Sequence, residues 1–156
     1  MVNIPKTISE KLDWVVDKTC SEIEDTPQKV LLPIAFIFND QEATVAGMLW
    51  KTQEEEEAAI IMISKIAKEK KADLVITRSE AWYRPMKNNE VENYKPGTLS
   101  GYPDRKECVV FCANTKDHCW TGIAPIDRLN GKKTIGKIQW TDEASGLFTD
   151  ILRTFH

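Results

Sequence analysis

The sequence predicts one α+β domain, built as a mainly antiparallel twisted sheet of about five or six strands with helices packed on one face. Segments with helical periodicity lie near both ends and in the middle of the chain, and apolar runs that suit strands lie between them. With 156 residues the chain is long enough to bury a core of its own. We therefore expect the order helix, two strands, helix, strand, a long loop over residues 84–104, three strands and a final helix.

Three helices are predicted from their apolar faces and their end signals. The first spans residues 8–23, because its apolar residues approximate one face and Pro27 prevents its continuation. The second begins after Thr52, which matches a capping box with Glu55, and glutamates crowd its first turn while lysines lie toward its end. The third follows Asp142, and its apolar face should dock on the sheet.

The strands are predicted from alternation and from turn chemistry. Pro33 cannot donate a ladder hydrogen bond, so it indicates an edge or a bulge in the first strand. Asn130-Gly131 is the preferred pair for a tight hairpin, because both residues tolerate positive φ. The predicted strand segments are, in chain order, residues 30–38, 43–50, 74–83, 107–114, 119–128 and 134–140.

Alternation along the third predicted strand places Arg78, Glu80 and Trp82 in one row on one face. One interpretation is an ion pair or a solvated strand face, and surface ion pairs of this kind contribute little to stability. The other is the polar wall of a pocket, in which arginine grips a carboxylate or phosphate, Trp82 stacks on a planar ligand, and Glu80 orients either group or acts as a base.

The loop that follows is unusually long for a connection in a compact domain, and such loops are usually functional or disordered. One interpretation is a flexible, solvent-exposed loop without a function. The other is a lid or a partner-binding loop. The sequence does not choose between them, and it identifies no catalytic residue. The candidate residues for binding a ligand or partner are Arg78, Glu80, Trp82, Arg84, Tyr102, Asp104 and Arg105.

Composition argues against several classes of function. The formal net charge of −3 provides no basic surface for nonspecific binding to nucleic acid or to anionic lipid. No apolar run approaches the roughly 20 residues of a membrane-spanning helix, so we expect a cytoplasmic protein without a membrane partner. In that setting the four cysteines, Cys20, Cys108, Cys112 and Cys119, are expected to be free thiols in the core.

The common catalytic motifs are also missing. Cys108 and Cys112 would lie roughly 13 Å apart on one face of an extended strand, which does not suit a zinc knuckle. A Ser/His/Asp hydrolase is not favoured, because His118 and His156 are the only histidines. Glycine-rich phosphate loops are absent from the sequence, so we expect no cofactor.

One nuclease pattern is matched only at its start. Pro103-Asp104 is similar to the opening of PD-(D/E)xK nucleases, in which carboxylates bind a divalent ion and a lysine steadies the attacking water. The downstream pair is missing, because Glu107 is followed by Cys108-Val109 and not by x-Lys. The charged run 104–107 is therefore better explained as the entrance to a strand.

The motifs Ser79-Glu80-Ala81-Trp82 and Pro103-Asp104-Arg105-Lys106-Glu107 carry a resemblance. Together with a polar loop between them and a later strand pair joined by a glycine-containing turn, they resemble a small family of bacterial and phage proteins with no assigned activity. The resemblance covers roughly the central and C-terminal two-thirds of the chain. It implies a microbial, intracellular setting and a compact α+β domain, and it transfers no catalytic residue, cofactor or substrate.

These observations favour a non-catalytic binding or interaction protein, and a homodimer is the oligomeric state that we consider for it. It would engage a protein partner or a small anionic ligand through residues 78–105. One alternative is a metal-assisted hydrolase or nuclease that uses Glu80, Asp104 and Glu107. A second alternative is a structural or assembly subunit of a phage or mobile element, which predicts an exposed apolar patch and a homo-oligomeric interface.

Overall fold

The helices and strands follow the predicted order from the first helix to the last predicted strand, except that a short helix, Asn88–Val91, lies within the predicted loop. The computed structural model of the chain describes residues 2–49, 51–93, 95 and 101–142. Its elements are α1 (Lys6–Asp25), β1 (Ile34–Phe38), β2 (Ala43–Gly47), α2 (Gln53–Glu69), β3 (Leu74–Tyr83), α3 (Asn88–Val91), β4 (Lys106–Asn114), β5 (Cys119–Leu129), β6 (Lys132–Ile135) and β7 (Gln139–Thr141). The helix predicted after Asp142 lies outside the described residues.

All strand pairs in the described ranges are antiparallel, and the sheet has the order β2-β1-β3-β4-β5-β6, with β7 also paired to β5. The predicted α+β class with a twisted antiparallel sheet is confirmed. The described residues form seven strands, one more than the upper prediction. The extra strand arises because the segment predicted as one strand over residues 134–140 is divided into β6 and β7.

A β-bulge divides that segment. Ile135 pairs with Ile126, whereas Gln139 pairs with Ile123, so four steps along one strand match three steps along the other. The extra residue reverses the alternation, and as a result Ile135 and Trp140 both face the α1 side of the sheet and pack against its core cluster. Without the bulge one of these two side chains would face the opposite side.

The expectation that the helices pack on one face was wrong. In β1, Phe36 and Phe38 belong to the core cluster that contains the buried residues of α1. The alternate residues Ala35 and Ile37 belong to the cluster that contains the buried residues of α2. Successive strand residues point to opposite faces, so α1 and α2 cover opposite faces of the sheet. Both faces of β1 are apolar, which removes the one-sided pattern that the prediction assumed.

The helix cap and the hairpin turn that the sequence predicts are both present. Thr52 caps α2, with its hydroxyl accepting a hydrogen bond from the Glu55 amide at 3.2 Å, while the Glu55 carboxylate accepts one from the Lys51 amide at 2.8 Å. Asn130 and Gly131 connect β5 to β6 with φ values of 53° and 76°. Positive φ at both positions is the geometry of a type I′ hairpin turn, so the predicted turn is confirmed.

The four cysteines are free, as expected, and three of them are buried. Burial raises the pKa of the Cys108 thiol and of the Cys112 thiol. Both thiols therefore remain protonated and pack as small apolar groups. None of the helices in the described ranges combines the length and the apolar character needed to cross a membrane.

The close approach of β5 and β7 gives the first testable expectation. A Cβ atom added at Gly122 would lie 2.6 Å from Cζ3 of Trp140 and 2.8 Å from Cγ2 of Ile138. We expect Gly122→Ala to lower the free energy of unfolding by about 1–3 kcal/mol, because the indole must leave its packing position. Urea denaturation measures the change.

Gly47→Ala is the matched control in another strand, because no heavy atom lies within 4 Å of the position of its added Cβ. That variant should be neutral or slightly more stable, since alanine has less entropy to lose on folding. Equal destabilisation by both substitutions would contradict the account of β7 packing.

Candidate functional site

The row Arg78, Glu80 and Trp82 lies on the α1 side of β3, as alternation predicts. Arg78 forms an ion pair with Glu22 of α1, with 2.6 Å between Nη2 and Oε2. Glu80 and Trp82 continue on that face, opposite Val109 and Glu107 of β4 respectively. The three residues nevertheless occupy different environments, so the row does not form one site.

Arg78 is a buried structural cation. Its side chain is 2% exposed, while its partner Glu22 remains about half-exposed at the surface of α1. The Nε and Nη1 atoms form no hydrogen bond within the described ranges. The ion pair ties the C-terminal half of α1 to the sheet. Because it lies under the helix, Arg78 is not available to a ligand at the surface.

Glu80 forms a buried ion pair with Lys133 of β6. The two side chains are 7% and 1% exposed, and the Lys133 ammonium also donates a hydrogen bond to the Lys29 carbonyl at 3.2 Å. In a flat sheet β3 and β6 would lie about 14 Å apart, three strand spacings. The sheet curls so that β6 returns over the end of α1, and the ion pair closes that curl. Glu80 is therefore a structural residue here.

The ends of the loop are joined by a cluster that we call the loop clasp, which consists of Arg84, Glu90, Tyr102 and Asp104. Arg84 forms ion pairs with Asp104 and with Glu90, each at 2.7 Å. Its guanidinium also lies 4.6 Å from the centre of the Tyr102 ring. One arginine at the end of β3 thus holds both α3 and the residues that lead into β4.

Charge pairing explains the acidity of the clasp carboxyls. The hydrogen bonds from Arg84 hold the pKa of Asp104 and the pKa of Glu90 below their ordinary values. The same two hydrogen bonds raise the pKa of Arg84 further above its ordinary value. All three groups stay charged at neutral pH, so Asp104 is an anchor and not a proton-transfer group.

Trp82 and Arg105 lie together at the end of β3, beyond the buried pairs. The Arg105 guanidinium stacks over the Trp82 ring, 4.2 Å from its centre, and Nη1 donates a hydrogen bond to the Tyr102 carbonyl at 3.0 Å. Trp82 is 41% exposed. Arg105 forms no ion pair in the part of the chain that the structure describes. It is a pre-positioned cation whose orientation is set by an aromatic ring and by the clasp.

Arg105 lines a cleft of about 550 Å³ at the ends of β3, β4 and β5, which we call the strand-end cleft. Three of the residues that line it are cationic and two are acidic. The lining residues are Tyr83, Pro103, Arg105, Lys106, Glu107, Pro125, Ile126, Asp127 and Arg128.

One charge pair within the strand-end cleft is already satisfied. Arg128 donates hydrogen bonds to both carboxylate oxygens of Glu107, at 2.8 and 3.4 Å, and a third to the Pro27 carbonyl at 3.2 Å. The hydrogen bonds from Arg128 lower the pKa of Glu107. Arg105 and Lys106 are therefore the cations of the cleft that are available to a ligand.

Each carboxylate proposed for a metal-assisted reaction already forms an ion pair with a cationic side chain. Glu80 pairs with Lys133, Asp104 with Arg84, and Glu107 with Arg128. No group of three or more acidic, histidine or cysteine side chains that could hold a metal ion occurs among the described residues. The arrangement therefore gives no support to a shared divalent-ion site.

The candidate residues thus separate into three groups: Arg78 and Glu80 in buried ion pairs, Arg84, Tyr102 and Asp104 in the loop clasp, and Trp82 and Arg105 beside the strand-end cleft. Sequence reasoning missed the ion-pair partners Glu22, Lys133 and Arg128. Alternation from Trp120 could have placed Arg128 on the α1 side of β5. Its pairing with Glu107 requires the register of β4 and β5, which the sequence does not show.

Comparison with known proteins adds no relative: no family model, no curated protein and no solved structure matches this chain. The resemblance to a bacterial and phage family therefore stays a prediction. The functional argument rests on the geometry of the cleft and of the groups around it.

The buried pair of Glu80 and Lys133 gives a second testable expectation. Lys133→Met should destabilise the fold by about 3–5 kcal/mol, because it leaves a buried carboxylate without its cation. The neighbouring exposed Lys132→Met should change stability by less than about 0.5 kcal/mol. Chemical denaturation measures both changes.

A double variant separates the ion pair from packing. Glu80→Met combined with Lys133→Met should cost clearly less than the sum of the two single changes, because neither charge is then left alone. Additive costs would show that the two charges do not depend on each other.

The loop clasp gives a pH-dependent expectation. The folded pKa values of Asp104 and Glu90 are depressed, so the clasp contributes stability above the unfolded pKa and loses it as pH falls through the folded pKa. NMR titration of the Asp104 carboxyl should give a midpoint below its ordinary value of 3.8. In Arg84→Gln the midpoint should return to that value, and an unchanged midpoint would contradict the clasp.

Proposed function

We propose that this protein is a non-catalytic binding protein that recognises an anionic group in the strand-end cleft. The group is a carboxylate or a phosphate, carried by a small ligand or by an acidic segment of a protein partner. Residues 82–84 and 102–107 form most of the recognition surface, with Arg128 and its neighbours on β5 opposite them.

The proposal rests on Arg105, which is held in place but has no carboxylate partner among the described residues. Among the arginines described, Arg78, Arg84 and Arg128 each have a carboxylate partner, whereas Arg105 has none. Its side chain is nonetheless fixed, by stacking on Trp82 and by the hydrogen bond to Tyr102. A guanidinium that is ordered before binding loses little conformational entropy when it forms a bidentate contact with an oxyanion.

The surroundings of Arg105 support the same class of ligand. Lys106 is a second cation that lines the cleft, and the charge of Glu107 is neutralised by its partner Arg128. The exposed ring of Trp82 provides an apolar wall beside the guanidinium. Such a combination of a planar cation, an aromatic ring and a flexible ammonium suits recognition of an anion without a bond-breaking step.

The same arrangement gives the ends of the long loop a role in positioning Arg105. Tyr102 and Asp104 belong to the loop clasp, and the Tyr102 carbonyl holds the Arg105 guanidinium. The position of the Arg105 guanidinium thus depends on where the loop clasp holds the ends of the loop. We further propose a cytoplasmic location, which the four free cysteines support because such thiols persist in a reducing compartment.

Titration with pyrophosphate, citrate and a short polyglutamate peptide tests the proposal. We expect saturable NMR shifts of the Trp82 indole and of the amides of residues 103–107, weakened by added salt. Arg105→Gln should weaken binding by about tenfold or more, because it removes a charge-assisted contact. Phosphorus NMR should show that the pyrophosphate remains intact.

Lys65→Gln is the matched control, because it removes one exposed positive charge from α2 on the opposite face of the sheet. It should leave the affinity unchanged. A preference for the peptide over citrate would identify a protein partner, and the reverse would identify a small ligand. Absence of saturable shifts, or equal losses in both variants, would refute the proposed site.

A further inference from the structure

The strand-end cleft contains charged groups of both signs that form no ion pair among the residues described. Arg128 neutralises Glu107, and Arg84 neutralises Asp104, the clasp carboxylate whose charge also acts on Lys106. Two positive groups and one negative group of the cleft therefore remain for a ligand. These unpaired groups are the cations Arg105 and Lys106 and the carboxylate Asp127.

The two unpaired cations are associated with different faces of the sheet. The Arg105 guanidinium stacks on Trp82, which lies on the α1 side of β3. Lys106 is directly opposite Tyr83 in the ladder between β3 and β4. Tyr83 faces away from α1, because successive strand residues point to opposite faces. The two cations therefore approach the cleft from two sides, and they suit two separate anionic groups better than a single one.

Asp127 supplies the negative group on the β6 side of the cleft. A Cβ atom added at Gly136 would lie 3.6 Å from Oδ2 of Asp127, so this carboxylate lies beside the segment that joins β6 to β7. The ladder between β4 and β5 ends at the pair Cys108 and Pro125. Two residues beyond that pair, the same alternation puts Asp127 and Lys106 on one face. The cleft thus has a positive wall on β4 and a negative group on β5.

Building on the proposed function of this cleft, we propose that its ligand is an amino dicarboxylate. This is a small molecule of the aspartate and glutamate class, which carries two carboxylates and one ammonium. One carboxylate contacts Arg105, the second contacts Lys106, and the ammonium contacts Asp127. The ligand thus matches the unpaired charges of the cleft in number and in sign. Its aliphatic part lies beside the apolar lining residues Tyr83, Pro103, Pro125 and Ile126.

Asp127 gives the cleft its selectivity among anions. A simple dicarboxylate would satisfy both cations, but it would leave Asp127 without a partner and bring a negative group toward it. Unpaired and like charges of this kind disfavour the wrong ligand. Asp127 is exposed, so the effect on affinity is modest, about threefold to fivefold.

NMR titration of the full-length protein with glutamate and two analogues tests the assignment. Glutarate lacks the ammonium, and glutamine lacks the side-chain carboxylate. We expect glutamate to bind about threefold to fivefold more tightly than either analogue, because each analogue loses one exposed ion pair. The Trp82 indole and the amides of residues 103–107 report the dissociation constants.

Three variants assign the contacts one at a time. Asp127→Asn should abolish the preference for glutamate over glutarate, and its retained binding of glutarate shows that it is folded. Lys106→Gln should abolish the preference for glutamate over glutamine. Arg105→Gln should weaken the binding of all three compounds.

Asp40→Asn is the matched control for the loss of an exposed carboxylate. Asp40 follows Phe38, which is opposite Leu74 at the start of β3, whereas the cleft lies at the end of that strand. This variant should retain every preference of the wild-type protein.

N-Acetylglutamate distinguishes the free amino acid from a glutamate at the end of a peptide, because its nitrogen is an uncharged amide. We expect it to bind as weakly as glutarate. Equal binding of glutamate and N-acetylglutamate would overturn the contact between the ammonium and Asp127.

Two other results would also overturn the inference: equal affinities of the wild-type protein for glutamate and glutarate, or a preference that persists in Asp127→Asn. Both would leave the proposed anion site standing if Arg105→Gln still weakened binding. Absence of saturable binding by all of these anions would instead refute the proposed function itself.

Discussion

The ion pair between Glu80 and Lys133 is the contact on which the remaining architecture depends. It joins the central strand β3 to β6, three positions away in the sheet, and through the Lys29 carbonyl it also joins the segment after α1. Both charges are buried, so each requires the other to offset the cost of leaving water. The curl of the sheet is the geometry that lets the two charges meet.

Along β3, the buried residues that stabilise the fold come before the residues that we propose for binding. The first half of the strand is apolar on both faces and lies between the helices. The middle of the strand carries the buried pairs of Arg78 and Glu80, its end carries the exposed Trp82, and the partly buried Arg84 follows directly after it. Polar groups are therefore progressively less buried toward the loop. The residues that we propose for binding lie at the end of the strand, beyond the residues that form the buried ion pairs.

Tyr102 joins the loop clasp to the strand-end cleft, because its carbonyl accepts a hydrogen bond from Arg105. Arg84 holds the two ends of the loop, and Tyr102 of the clasp orients Arg105 above Trp82. Rearrangement of the loop would therefore move the Arg105 guanidinium, which is the cation that we propose contacts the ligand.

The sequence by itself determined the order of the elements, the Thr52 cap, the Asn130-Gly131 turn and the shared face of Arg78, Glu80 and Trp82. These features depend on residues close together in the chain, for which periodicity and turn chemistry are sufficient. The sequence also indicated the region in which we propose the site, because a long loop next to a polar strand end is a local feature.

Only the tertiary structure decided which of those residues are structural and which are exposed. The partners of Glu80 and Arg78 are 53 and 56 residues away, and nothing local specifies the register that brings them together. The sequence shows that β1 is apolar on both faces, but only the packing in the tertiary structure shows that α1 covers one face and α2 the other. Charge pairing across a curled sheet is a long-range property, and it leaves Arg105 as the arginine without a carboxylate in the part of the chain described.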